Sequence, residues 1–140
     1  MFEGVQVKWN DGQKDTIKDL KMEVVVDSGT TSLLLPKDII AAFVKTLTPP
    51  LSFEPITSRY DIDCNAEGPA TFDFVIGGVE LKIPLKELIS EYADCKCCLQ
   101  LYDVKSRELD YAILGQSFMR HVVVRHDVDA LSMSFKQRVY

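Results

Sequence analysis

The chain is 140 residues long, 46% hydrophobic and 26% charged, which predicts one ordinary globular domain over 1–140 and excludes disordered and fibrous classes. Sixteen Lys and Arg against twenty-one Asp and Glu leave a net charge of -5, so no nucleic-acid partner is expected, since such binders concentrate basic residues on one face. No apolar run approaches the ~18 residues of a membrane span, and the N-terminus lacks the basic-then-apolar pattern of a signal peptide.

Residues 1–26 read as β structure. Val5 and Val7 alternate with polar neighbours, and Asn10-Asp11-Gly12 is a turn signal before a second alternating stretch. The alternating Lys and Asp residues from Lys14 to Lys21 are a solvated face or hairpin edge. Glu23 to Val26 is a β-branched run of the kind found in buried strands, and it leads directly into Asp27-Ser28-Gly29-Thr30-Thr31-Ser32. Leu33-Leu34-Leu35 follows. Pro36-Lys37-Asp38 starts a helix, with Ile39, Ile40, Phe43, Val44 and Leu47 at helical spacing, and Pro49-Pro50 stops it.

Short strands then return: Tyr60 to Cys64, Thr71 to Ile76, and Val79 to Ile83 across a Gly77-Gly78 hairpin turn. Leu85 to Tyr92 reads as a short helical turn beginning after Pro84, and Leu99 to Val104 as one strand. After a charged loop come Ala112-Ile113-Leu114 and Gly115, then Val122 to Val124, a turn at 127–130, and an alternating strand from Leu131 to Phe135. The fold class is mainly β, with one helix after the Asp27 turn.

Cys64 stands apart from the cluster Cys95, Cys97 and Cys98. Zinc sites need two spaced ligand pairs or nearby histidines, whereas His121 and His126 lie far downstream beside an apolar stretch. No metal is therefore expected. One disulfide from Cys64 into the cluster, with two thiols left over, is the simpler reading and would place the protein in an oxidising compartment. Vicinal Cys97 and Cys98 are poor partners for each other, because adjacent backbone geometry strains the bridge.

Asp27 is the candidate for chemistry. A carboxylate on a tight turn at the end of a buried strand is expected to be partly desolvated, which raises its pKa. Gly29 allows the turn and brings its N–H close, and Ser28 and Thr30 supply hydroxyls that fix orientation, as an acid/base group requires. Asp-Ser-Gly-Thr is also an ordinary turn composition in which Asp caps the strand end. The wider pattern separates these readings. The run from Val24 to Pro36, followed by an amphipathic helix, closely resembles the second active-site segment of pepsin-like aspartic proteases. Ala112-Ile113-Leu114-Gly115-Gln116-Ser117-Phe118-Met119-Arg120 resembles that family's apolar-apolar-Gly segment. Val122 to Asp127 is similar to the strand that follows it. The resemblance covers roughly residues 20–136, and Cys98 to Val104 is similar to secreted yeast-type members.

The resemblance implies the C-terminal lobe of a bilobal acid protease, in which the Asp27 and Gly115 strands interlace in a psi-shaped loop. Asp27 would be one of two aspartates sharing a water that attacks a peptide carbonyl. Ser28 would join the hydroxyl network tying the two lobes, Gly29 would donate its N–H, and Thr30 would bond the outer carboxylate oxygen. Thr31 would lie along the substrate backbone, Val25 and Ile113 would wall specificity pockets, and Cys64 would bridge to Cys97 or Cys98. No cofactor is implied. The parent protein would be secreted, vacuolar or lysosomal.

The chain carries a single Asp-Ser-Gly motif and no Asp-Thr-Gly, and Gln116 stands where the family favours an acidic residue or Asn. One carboxyl does not run this chemistry, which needs an ionised and a protonated group side by side. The leading expectation is therefore an endopeptidase half-site, inactive as a monomer, completed by an N-terminal lobe with an Asp-Thr-Gly motif. The alternatives are a symmetric homodimer built from two copies of Asp27, and a non-catalytic peptide-binding module of the same fold. A separated lobe would also expose an apolar face.

Overall fold

A computed structural model describes residues 2–139, with backbone only for residues 2, 3, 18–21 and 107. The chain opens with a hairpin of β1 (Phe2–Lys8) and β2 (Lys14–Met22), turned at Gly12, whose φ of +86° suits glycine. Val5 and Val7 are buried in the core, while Lys14, Asp15 and Thr16 face solvent. The rest of the expected Lys/Asp face, at 18–21, lies outside the described side chains. Trp9, beyond the end of β1, donates its indole N–H to Asp15 across the hairpin, 2.9 Å.

β3 (Val24–Val26) leads into the Asp27 turn and β4 (Leu33–Leu35) leaves it. β4 is buried throughout, but β3 is not a buried strand as its composition suggested: Val25 is 43% exposed. The reason is position, since β3 is the last strand of its sheet and only one side of it is paired. α1 (Lys37–Val44) begins after Pro36 and buries Ile39, Ile40 and Phe43, the residues whose 3–4 spacing predicted it.

Past the helix come β5 (Ser52–Glu54), which has no alternation to announce it, and β6 (Arg59–Ile62). β7 (Thr71–Ile76) and β8 (Val79–Pro84) pair across Gly77 and Gly78, both with positive φ as a tight hairpin turn requires. The segment from Leu85 to Tyr92 is helical only in α2 (Leu85–Leu88) and then extends as β9 (Ile89–Ala93), which pairs with β10 (Lys96–Leu99). Likewise the expected strand from Leu99 to Val104 is two strands, broken at Gln100. Its N–H goes to the Leu88 carbonyl, 2.7 Å, and β11 (Leu101–Asp103) then departs to pair with β4 in another sheet.

A 3₁₀ turn at Val104–Arg107 leads to β12 (Ala112–Leu114), α3 (Gln116–Met119), and a terminal hairpin of β13 (Val122–Asp127) and β14 (Ser132–Gln137). The sheets run β2-β1-β7-β8, β5-β6-β10-β9 and β11-β4-β12-β3, with β13-β14 a separate ribbon. They enclose one apolar cluster centred on an aromatic chain, with Phe43 stacked on Phe72 at 4.3 Å and Phe74 set edge-on to Phe118 at 5.6 Å. Cys64 is bonded to Cys97, which ties the loop after β6 to β10, while Cys95 is an exposed thiol and Cys98 a buried one. Among the described residues no helix is long and apolar enough to cross a membrane.

Candidate active site

The short strands around Asp27 are tied by a crossing that local sequence does not announce. β3 runs parallel to β12, with Val25 opposite Ile113 and Val26 opposite Leu114, and the Asp27 N–H donates to the Leu114 carbonyl at 3.1 Å. After the turn the chain returns along the other side of β12, where β4 pairs antiparallel with it. β12 is therefore held between the strand entering the turn and the strand leaving it. Gly115, directly after β12, lies under the loop. The Gln116 and Ser117 N–H groups donate to the Thr30 and Thr31 carbonyls at 2.7 and 3.0 Å. A Cβ on Gly115 would sit 2.2 Å from the Thr30 carbonyl oxygen and 2.3 Å from that of Ser32. The absence of a side chain is what permits this approach.

Within that frame the Asp27 carboxylate is held from one side. The Thr30 hydroxyl donates to Oδ2 at 2.6 Å, and the Gly29 N–H donates to Oδ1 at 2.8 Å. These bonds, Thr30 first, hold the carboxyl below the usual aspartate range, and burial opposes them only weakly. This corrects the raised value expected from desolvation: the loop presents the carboxylate at the protein surface, where donors aimed at the charged form outweigh lost hydration. Replacing Thr30 with Val keeps the volume and removes the stronger donor. The Asp27 titration point is then expected to move up toward the ordinary range, as read from its carboxyl ¹³C shift against pH.

The remaining predicted residues fall around the loop. Ser28 and Thr31 are exposed, one on each side of Gly29 and Thr30. Ile113 and Thr31 line an open cleft with Gly29, Leu34, Tyr102 and Leu109, into which Thr57 also projects. Val25 stands beside Ile113 on the neighbouring strand and is open to solvent. Three residues that buttress the loop escaped sequence reasoning. Gln116 donates its amide to the Ser28 carbonyl at 2.8 Å, Ser117 donates to the Thr31 carbonyl at 2.9 Å, and Ser32 donates to the Gln100 side chain at 2.6 Å. Gln116 was visible only as a departure from an expected residue type, and its bond gives that departure a purpose. Ser32 sits in the Asp27 turn and Ser117 in the Gly115 segment, but their partners lie 68 and 86 residues away, and the cleft-lining Thr57, Tyr102 and Leu109 likewise carry no local signal. His121 is buried at the end of α3 and His126 is exposed on β13; among the described residues no cluster of metal-ligating groups forms.

The family profile of eukaryotic aspartyl proteases matches residues 3–138. The chain belongs to that family. Within this aspartyl protease family it is 28% identical to aspartic proteinase yapsin-3 of Saccharomyces cerevisiae over 93% of its own length and 25% of that protein's. It is 35% identical to candidapepsin-2 of Candida parapsilosis over 70% of its length and 24% of that protein's. An acid protease of Saccharomycopsis fibuligera matches over 97% of the chain and 34% of its own length, at 25% identity. The chain thus spans about a quarter to a third of these three proteins, which are fungal, in line with the yeast-type segment before the Gly115 motif.

Proposed function

We propose that these 140 residues form one lobe, of the C-terminal kind, of a pepsin-like aspartic endopeptidase, and that Asp27 supplies one of the two carboxyls of its active site. The observation that carries this reading is the asymmetric hold on Asp27. Both protein donors approach from its own loop, so the outward side of the carboxylate is left for a water and a second carboxyl. Two carboxyls forced together share a proton. The ionised member takes a proton from the water as it attacks the peptide carbonyl, and the protonated member hydrogen-bonds the carbonyl oxygen where charge develops. The Thr30 and Gly29 donors favour the ionised form of Asp27, and the pair titrates as a unit.

In this reading Thr31 follows the substrate backbone, Ile113 and Val25 shape pockets for its side chains, and the exposed Ser28 joins the contact to the other lobe. The terminal hairpin supports the need for a partner. β13-β14 is a two-stranded ribbon, marginal by itself, and it leaves Val123, Val128, Leu131 and Met133 exposed, with Leu131 90% open. The Cys64–Cys97 bond fits a secreted or vacuolar parent protein.

The experiment is reconstitution. Mixed or fused with a folded lobe that carries an Asp-Thr-Gly motif, the chain is expected to cleave peptides in acid, and a statine-type transition-state mimic is expected to block it. Absence of cleavage, with both lobes folded and associated, rejects the proposal.

A further inference from the structure

On the solvent side of the β2-β1-β7-β8 sheet, Asp73 on β7 is completely buried, although the faces of such sheets that turn away from the core are normally wet. Neither of its carboxylate oxygens has a hydrogen-bond partner, and neither does the buried hydroxyl of Thr71, two residues away on the same face. What covers Asp73 is a polar lid. Lys14 on β2 and Glu80 on β8 belong to the two edge strands, yet their side chains meet at 2.7 Å, so their ion pair spans the β1 and β7 strands between them. Gln6, directly opposite Asp73 on β1, also reaches Glu80, at 2.6 Å. Lys82, opposite Asp73 on β8, stands 3.9 Å from Glu80. Lys8 pairs with Thr71 at the next position. The charged groups facing Asp73 are therefore Lys14, Lys82 and Lys8 against Glu80, and the lid cations are engaged by Glu80 and not by Asp73.

We propose that Asp73 and the Lys14–Glu80–Gln6 lid form a paired acid lock that makes the stability of this sheet greatest in a window of acidic pH. The lock has two sides. A neutral Asp73 carboxyl carries an O–H that can be donated to the Thr71 oxygen, which gives both orphans a partner. An ionised Asp73 can take only the Thr71 O–H, a single donor for a charge dehydrated beneath the lid. The two carboxyls move in opposite directions. Burial, reinforced by Glu80, pushes Asp73 above the usual aspartate range despite the opposing pull of Thr71, Lys82 and Lys14. The Lys14 bond, with help from Gln6, holds Glu80 below the usual glutamate range.

The signs follow by linkage. Folded Asp73 binds its proton more tightly than unfolded Asp73, so stability falls as pH rises from the unfolded toward the folded titration point. Folded Glu80 binds its proton less tightly, so its contribution is present above the unfolded titration point and is lost as pH falls through the folded one. Between these limits Asp73 is neutral while the lid is still charged. This inference is independent of the proposed hydrolytic activity, since its readout is folding.

Denaturant unfolding of the 140-residue chain, of D73N and of E80Q, from about pH 3 to about pH 8, tests it. The native chain is expected to show a maximum in acid. D73N flattens the neutral side, where the folded-to-unfolded ratio of the native chain drops relative to D73N by up to about tenfold per pH unit. E80Q flattens the acid side. A D73N profile parallel to the native one on the neutral side overturns the Asp73 half, and an E80Q profile parallel on the acid side overturns the lid half. If D73N does not fold, carboxyl ¹³C titration of the native chain decides: Asp73 titrating above the free aspartate range supports the lock, and at or below that range refutes it.

Discussion

Substituting Asp27 with Asn in the reconstituted two-lobe assembly proposed above is expected to reduce peptide cleavage by about 10⁴-fold, the upper range for a positioned acid/base group. An amide neither takes a proton from water nor shares one with a facing carboxyl. The fold should barely notice. Asn keeps the shape and its oxygen accepts from either the Thr30 hydroxyl or the Gly29 N–H, but its NH₂ then faces the other donor. The loss is one charge-assisted bond at a solvent-open site, where water takes up the freed group. Initial-rate assays in acid, paired with denaturant unfolding, separate the two effects. Wild-type rates in a folded Asp27→Asn protein would remove Asp27 from the chemistry and leave the peptide-binding alternative standing.

Gly115→Val is expected to be the most damaging single change to the fold, at about 4 kcal/mol or more of unfolding free energy. The new Cβ would collide with two backbone carbonyls, of Thr30 and Ser32, which belong to the Asp27 loop and have no rotamer to escape into. Relief would require pulling the Asp27 loop away from β12, breaking the bonds from the Gln116 and Ser117 N–H groups. Gly68 is the control. There the closest atom to a built Cβ is Leu47 Cδ2, at 2.6 Å, the end of a flexible side chain that can turn aside, so Gly68→Ala should cost much less. The comparison of denaturant midpoints for the two variants measures how rigidly the crossing is held. Equal, small losses at both positions would mean that the loop adapts.

The contrast between these two glycines indicates how far sequence reasoning reached. Gly115 was recognisable because it sits in a longer pattern, but nothing in Ala112-Ile113-Leu114-Gly115 states that its neighbours in space are Thr30 and Ser32. Elements governed by local rules were legible: the helix after Pro36, the Gly77-Gly78 hairpin, the Asn10-Asp11-Gly12 turn. Elements governed by distant partners were not. Gln100 splits one apparent strand in two because Leu101 is needed against Leu33, and residues 89–93 extend because β10 offers them an edge. The four cysteines allowed several pairings, and only the register of β10 against β6 and β9 sets Cys97 toward Cys64.

The electrostatics divide in the same way. From residue types alone Asp27 looked like a carboxyl raised by burial, and nothing singled out Asp73. In the fold Asp27 is stabilised as an anion by two local donors, and Asp73 is the carboxyl sealed beneath side chains from strands β1, β2 and β8. Composition and periodicity were sufficient for a mainly β domain, and the resemblance of two segments, around Asp27 and Gly115, to pepsin-like proteases pointed to the family, because turn chemistry, helix starts and family patterns are written in contiguous residues. The crossing of β3, β12 and β4, the choice of disulfide partner and the burial of Asp73 beneath side chains of β1 and β2 were decided only by tertiary structure. Each depends on which atoms lie within a few ångströms, and chain separations of 30 to 90 residues hide that from any local reading.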